Sequence, residues 1–287
     1  MAAGMIITVS LLGIAIVMLV WLAHRLHRQV RNEQLLRAEA EESKQQIIVE
    51  QERNRQLKQE MTSNIAHELK TPVSSIRGYL EILLGDKPVD EEQRHYFLER
   101  CYSQTLRLSD LINDVSLINK LEESHELFPL EPINVRILAE EAIVELATNA
   151  EQHHITILDE LPEDMVITGN SMLVYSIFRN LIENAIVHAG DNITVGIHCY
   201  KPDDEDFYYL HLYDTGNGVD NEYLTRLFDR FLRIDKGRSR KKGGTGLGLS
   251  IVKHAVLFHG GDIYVKNREG GGLEFFFSLK KLTHETN

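Results

Sequence analysis

Hydrophobic and polar positions divide the 287-residue chain into four stretches with different rhythms. Residues 1–23, "MAAGMIITVSLLGIAIVMLVWLA", carry no charged side chain, and about 20 such residues cross the hydrocarbon core of a bilayer as one helix. A cleaved signal peptide is the rival, but its basic residues precede a shorter apolar run. Here Arg25, Arg28 and Arg31 come afterwards, which by the positive-inside rule places the rest of the chain in the cytoplasm. A single transmembrane helix is therefore expected over 1–23. From 24 to 60 the chain is polar and free of Gly and Pro. A heptad with Leu22, Leu26, Leu36, Ala40, Ile47, Leu57 and Met61 as core positions is interrupted by Gln29, Glu33, Ser43, Glu50 and Asn54. It predicts an imperfect coiled-coil stalk, with a solvated single-helix spacer as the alternative.

Between 61 and 123 the period becomes helical. Ile65, Leu69, Val73, Ile76, Leu80 and Leu83 form one seam, "GDKPVD" (85–90) breaks it, and Phe97, Cys101, Leu108, Ile112, Val115 and Ile118 form a second. Two long amphipathic helices on a short connection make an antiparallel hairpin, whose core is too small until two copies join as a four-helix bundle. Two positions disturb the first helix. Pro72 sits where a proline costs about 3 kcal/mol. His67 lies about 200° around from Ile65, and so points to water with Glu68 beside it.

From 124 to 287 helical stretches (135–152, 171–189, 221–231, 247–259) alternate with alternating-pattern runs: "HITIL", "MVIT", "NITVGIHCY", "FYYLHLYD", "DIYVKN" and "LEFFFSLK". Several strands follow one another directly, so an α+β two-layer domain is predicted rather than a doubly wound parallel sheet. "KPDDED" (201–206) reads as a charged hairpin loop. The net charge of −12 argues against general nucleic-acid binding. Cys101 and Cys199 have neither disulfide-framework nor metal-ligand spacing.

Three segments of this last region carry chemistry. In "YDTGNGVD" (213–220), Asp214 can accept from an exocyclic amine such as adenine's, and Gly216 and Gly218 let backbone approach a flat ring; an ordinary turn is the alternative. In "KKGGTGLGLSIVKH" (241–254), four glycines run into a helix whose positive end suits phosphate. Neither the Walker nor the Rossmann glycine pattern is present. The preceding "RIDKGRSRKK" is a local cationic run. In "FRNLIENAIVHAG" (178–190), Asn180, Asn184 and His188 recur at steps of four, and amide oxygens there can ligate a hard cation; a solvated polar stripe is the alternative.

Together, over about residues 60–281, these segments resemble the membrane-bound sensor histidine kinases of bacterial two-component systems. "HELKTP" is similar to the family's phosphoacceptor motif, and "NLIENA", "DTGNGV", "LFDRFLR" and "GGTGLGLSIVKH" to its asparagine, first glycine, phenylalanine and second glycine motifs. The resemblance implies ATP and Mg²⁺ as cofactors, His67 as the residue that takes the γ-phosphate, Glu68 as the base on its imidazole, and Thr71 as the position associated with dephosphorylating the partner. It implies Asn184 as Mg²⁺ ligand with Asn180 beside it, and Asp214 as the reader of adenine above Gly216 and Gly218. Gly244, Gly246 and Gly248 would form the phosphate end of a lid, with Arg233 reaching the phosphates and Phe228 and Phe231 anchoring it. A loosened helix at Pro72 would couple bundle rearrangement to access at His67.

The implied partners are a second copy, the membrane and the receiver domain of a separate response regulator, and the implied location is the bacterial inner membrane, single-pass, with the catalytic part in the cytoplasm. A non-catalytic scaffold and a net phosphatase are the competing functions. Two departures stand out. Val187 and His188 occupy positions where many members carry lysine and tyrosine, and the chain opens on one apolar stretch where members carry a sensor between two. Either upstream sequence has been cut away, or sensing is intramembrane or borrowed.

Overall fold

The computed structural model describes residues 2–86, 88–123, 127–200, 204, 206–234 and 244–282, and many residues of the first helix up to 57 by backbone alone. The chain divides into two compact units, Met1–Ser63 and Asn64–Asn287. The first unit is entirely the front part of α1 (Ala2–Leu84). The transmembrane helix expected over 1–23 falls largely on residues described by backbone alone. Among the described residues no helix is long and apolar enough to cross a membrane, and most side chains of the helical stretch 2–23 lie outside them. Of the predicted heptad positions, Leu22, Leu26 and Ile47 are exposed in the single chain; Leu36, Ala40 and Leu57 are described by backbone only.

The second unit opens with a helical hairpin made by the end of α1 and α2 (Glu91–Glu123). Asp90 starts α2 by accepting from the Gln93 amide at 2.7 Å, and Glu91 and Glu92 add negative charge at the positive end of the helix dipole. Tyr79 stacks on Phe97 at 5.6 Å across the hairpin. α1 runs unbroken through Pro72, which is buried. The hydroxyls of Thr71 and Ser75 donate to carbonyls one turn back, at His67 (3.3 Å) and Thr71 (3.1 Å). The second helix follows the expected seam, with Ile118 buried and Phe97, Cys101, Leu108 and Val115 half-buried, except that Leu111 is buried in place of Ile112, which is exposed. Ile112, Val73, Leu80, Leu98 and Leu106 remain as exposed apolar positions of the hairpin. Periodicity alone does not separate two adjacent apolar positions on opposite flanks of a stripe.

An α+β domain follows. β1 (Glu131–Asn134) pairs antiparallel with β3 (Val166–Gly169) in a two-stranded sheet. The main sheet has the order β2-β4-β5-β7-β6, from β2 (Thr156–Glu160), β4 (Thr194–Cys199), β5 (Phe207–Asp214), β6 (Ile263–Asn267) and β7 (Leu273–Lys280). Only β2 and β4 run parallel; the other neighbours are antiparallel. Three helices, α3 (Val135–Gln152), α4 (Ser171–Asn184) and α6 (Gly248–Phe258), with the short α5 (Asn221–Leu224) between the last two, complete the layer. Asn134 caps α3 by accepting from the Arg136 and Ile137 amides, and Asn170 caps α4 by accepting from Leu173.

The core lies between these helices and the sheet. Ile177, Phe178, Leu181 and Ile182 of α4 are fully buried with Leu210, Leu212, Phe275 and Phe277 of the strands, and Phe178 meets Phe277 edge-on at 6.0 Å. Truncating one such phenylalanine to alanine costs about 3–5 kcal/mol. The buried His259 ties α6 to α4: its Nε2 accepts from the Asn170 amide at 3.0 Å. Burial lowers the His259 pKa, so the ring stays a neutral acceptor. On β5 and β7, His211 stacks on Phe276 at 4.3 Å with Tyr264 on the far side of that ring. Burial, and then neighbouring His198, push its pKa down to about 4, against the pull of Glu274.

Candidate active site

His67 presents an exposed imidazole (64 %) on α1, with Nδ1 3.7 Å from Glu68 Oε1. Glu68 is not exposed in the same way. Its other oxygen, Oε2, meets Arg107 Nη2 of α2 at 3.6 Å and Arg233 Nη1 at 3.2 Å. Arg233 thus pairs with the neighbour of His67, and it also lines the cavity beside the glycines. Thr71 sits one turn below with its hydroxyl on the His67 carbonyl.

The second centre is a cavity of about 790 Å³, within the range of small-ligand sites. Asn184, Val187, His188, Asp214, Gly218, Arg233, Gly244 and Gly246 all line it. Asn184 ends α4, and the chain continues as a π-helical turn, Ala185–Ala189, in place of the predicted regular helix to 189. Such wide turns recur at functional sites because they re-aim the side chains around them.

Asp214 ends β5 and is buried (3 %). Its carboxylate accepts from the Gly216 amide at 2.9 Å and the Leu273 amide at 3.3 Å. Burial raises its pKa, and the two amides oppose that rise by favouring the anion. Each oxygen keeps a lone pair for a further donor. The turn after it is held from β6: Asn267 accepts from the Val219 amide at 3.0 Å and donates to its carbonyl at 2.7 Å. Gly218, at φ +66°, lies where a Cβ would come within 2.8 Å of Asn267 Oδ1. A Cβ on Gly216 would come within 2.2 Å of the Ala189 carbonyl, so it sits under the π-turn rather than in the lining.

Asn180 and Gly248 are also placed outside the lining. Asn180 Nδ2 donates to Ser176 O at 2.8 Å, and a Cβ on Gly248 would lie 2.6 Å from Asn180 Oδ1. They form a close crossing of α4 and α6. On the lid side the predicted helix 221–231 stops at Leu224 and continues as turns. Phe228 packs edge-on against Phe275, and the Phe231 amide donates to the Gly246 carbonyl at 2.8 Å. Lys236, Arg238 and Arg240 of the cationic run, Gly243 of the glycine segment, and most of the loop 201–206 lie outside the described residues.

A second polar link joins hairpin and α+β domain. Thr245 Oγ1 donates to Asp114 of α2 at 2.8 Å. Burial raises the Asp114 pKa to about 6, with Thr245 and Arg179 pulling it down and Glu183 and Asp110 pushing it up. The unfolded chain releases this proton nearer 3.8, so the buried anion costs stability above about pH 6 and nothing below about pH 4. Asp114→Asn keeps the acceptor without the charge. Calorimetric melts should show it raising Tm at pH 8 and leaving Tm unchanged at pH 4; an equal shift at both values would mean the charge is not the cause.

Arg107, Asp114, Thr245, Asn217 and Asn267 are absent from the sequence-predicted site. Arg107 and Asp114 are seven residues apart, hence on one face of α2, a polar periodicity beside the apolar seam. Asn267 announces itself only as a polar residue closing an alternating strand before a glycine run.

Residues 57–124 match the His Kinase A (phospho-acceptor) domain, and residues 169–283 match the histidine kinase-, DNA gyrase B-, and HSP90-like ATPase family. The chain thus carries the phospho-acceptor domain and the ATPase domain found in histidine kinases. Sensor histidine kinase WalK of Bacillus subtilis is 32 % identical over 236 residues, 81 % of this chain and 38 % of its own. Phosphate regulon sensor protein PhoR of Pseudomonas aeruginosa is 35 % identical over 221 residues, 77 % of this chain and 49 % of its own. The chain thus spans about two-fifths to one-half of these two family members. In fold it is similar to histidine kinase ThkA, solved in complex with response regulator protein TrrA, at TM-score 0.60 and 24 % identity, over 79 % of this chain and 63 % of that one. The family's two domains fall on the two centres: His67 and Glu68 in the first, Asn184, Asp214 and the glycines in the second.

Proposed function

We propose that the chain is an ATP-dependent protein-histidine kinase that phosphorylates His67 and passes the phosphoryl group to an aspartate on the receiver domain of a separate response regulator. The observation that carries this reading is the pairing of an exposed imidazole with a half-buried carboxylate on its Nδ1 side, in one compact unit with a nucleotide-sized cavity. With the neutral ring's proton on Nδ1, facing Glu68 Oε1, Nε2 keeps its lone pair. Nε2 attacks the γ-phosphorus, the N–P bond forms, the bond to the β-γ bridging oxygen breaks, and ADP leaves with that electron pair. The imidazole's positive charge is discharged by passing the Nδ1 proton to Glu68.

Asp214 reads the adenine amine, and Gly218, Gly244 and Gly246 admit the backbone close to the nucleotide. Gly216, Gly248 and Asn180 shape the walls behind it. Mg²⁺ would be held by the amide oxygen of Asn184, which lines the cavity, with nucleotide phosphates and water, as its hard-oxygen preference requires. When bound it supplies positive charge to the transferring phosphates. With Val187 in place of a lysine, Arg233 is the described cation lining the cavity.

The apolar run 1–23 followed by three arginines supports a membrane anchor with the catalytic part in the cytoplasm of a bacterium. The heptad over 24–60 supports a coiled-coil linker, and the exposed apolar positions Val73, Leu80, Leu98, Leu106 and Ile112 support a homodimer through the hairpin segment 61–123. Residues 124–287 then form the ATP-binding domain. Thr71 is compatible with phosphatase action on the same partner. Incubating the purified protein with γ-labelled ATP tests the reading: label that is acid-labile and alkali-stable is expected, and its absence would leave only a nucleotide-binding scaffold.

A further inference from the structure

Glu68 is gripped by two arginines that reach it from different places. Both act on one oxygen, Oε2, at 3.6 Å from Arg107 and 3.2 Å from Arg233, while Oε1 faces His67 Nδ1. All three charged side chains are largely withdrawn from solvent: Glu68 18 %, Arg107 17 % and Arg233 14 % exposed. A carboxylate in such a setting is oriented by whichever cation holds it, because its terminal torsion is otherwise broad.

The two arginines differ in what else they serve. Arg233 lines the nucleotide cavity and stands at the head of the lid segment, so bound phosphates compete with Glu68 for its guanidinium. Arg107 does not line the cavity. It sits on α2, the partner helix of Glu68 in the same hairpin.

We propose that Arg107 is the positioning residue of the phosphoryl-transfer step. It keeps Oε2 fixed, and so keeps Oε1 on the imidazole, once Arg233 is drawn away to phosphate. This rests on the reading of Glu68 as the residue that takes the Nδ1 proton. Glu68 then has one permanent cation and one exchangeable one. Losing the exchangeable cation leaves it aimed; losing the permanent one leaves it free to turn whenever nucleotide is bound.

Single-turnover autophosphorylation at saturating ATP tests this, with ATP affinity measured alongside. Arg107→Ala should slow the step at least about tenfold, the effect of losing one charge-assisted contact, with unchanged ATP affinity. Arg107→Lys should recover part of the rate. Arg107→Ala in a Glu68→Gln background should add no further slowing, since the positioned group is already gone. Should alanine unfold the hairpin by circular dichroism, Arg107→Met, which keeps the apolar stem, takes its place under the same criteria. A wild-type rate in the neutral variant, or multiplied losses in the double variant, overturns the role of Arg107. A wild-type rate in Glu68→Gln alone overturns instead the reading of Glu68.

Discussion

His67→Gln is expected to abolish phosphoryl incorporation while leaving ATP affinity within about twofold of wild type. The imidazole is exposed and its backbone carbonyl, not its ring, carries the Thr71 contact, so removing the ring takes away the acceptor and little structure. Glutamine has a similar reach but no nitrogen lone pair that attacks phosphorus, since its amide nitrogen is delocalised. Because His67 does not line the cavity, isothermal titration with a non-hydrolysable ATP analogue should report normal binding. Retained acid-labile label on the variant would move the acceptor to another residue and remove the basis for Glu68 as its base.

Asp214→Ala is expected to weaken ATP by about 10- to 100-fold, the range for a charge-assisted hydrogen bond of about 1.5–3 kcal/mol. The carboxylate also anchors the Gly216 and Leu273 amides, so some of the loss will come from a looser turn. Comparing ATP with inorganic triphosphate separates the two effects. A base-reading role predicts a large loss for ATP and almost none for triphosphate, and equal losses would show that Asp214 only holds the turn.

The layers of this fold were legible because their periods differ: 3.6 for the hairpin and for the helices over the sheet, 2 for the strands of "FYYLHLYD" and "LEFFFSLK". β1 was not, because "EPIN" holds a proline within four residues and lies at the edge of a two-stranded sheet. The lid-side stretch 221–231 has a helical pattern, yet the chain leaves the helix after Leu224 and Phe231 adopts φ +60°. Among the site residues, spacing put Asn180 and Asn184 on one face and could go no further. Which of them meets the cavity depends on α6, which lies against Asn180 through Gly248. Arg233 stood near the glycines in sequence, so phosphate was the natural expectation. It does line the cavity, but it also pairs with Glu68, 165 residues away, and no local pattern encodes a contact of that separation.

That separation bears on how such proteins are recombined. A chimera that joins the hairpin of one family member to the ATP-binding domain of another keeps every local motif intact. It does not keep matched pairs, and here two of them, Glu68 with Arg233 and Asp114 with Thr245, are split across the junction. Grafts cut between residues 123 and 131 therefore inherit half of each pair from either parent. Carrying positions 68 and 114 over with the donor's 233 and 245 is the substitution set that would restore them.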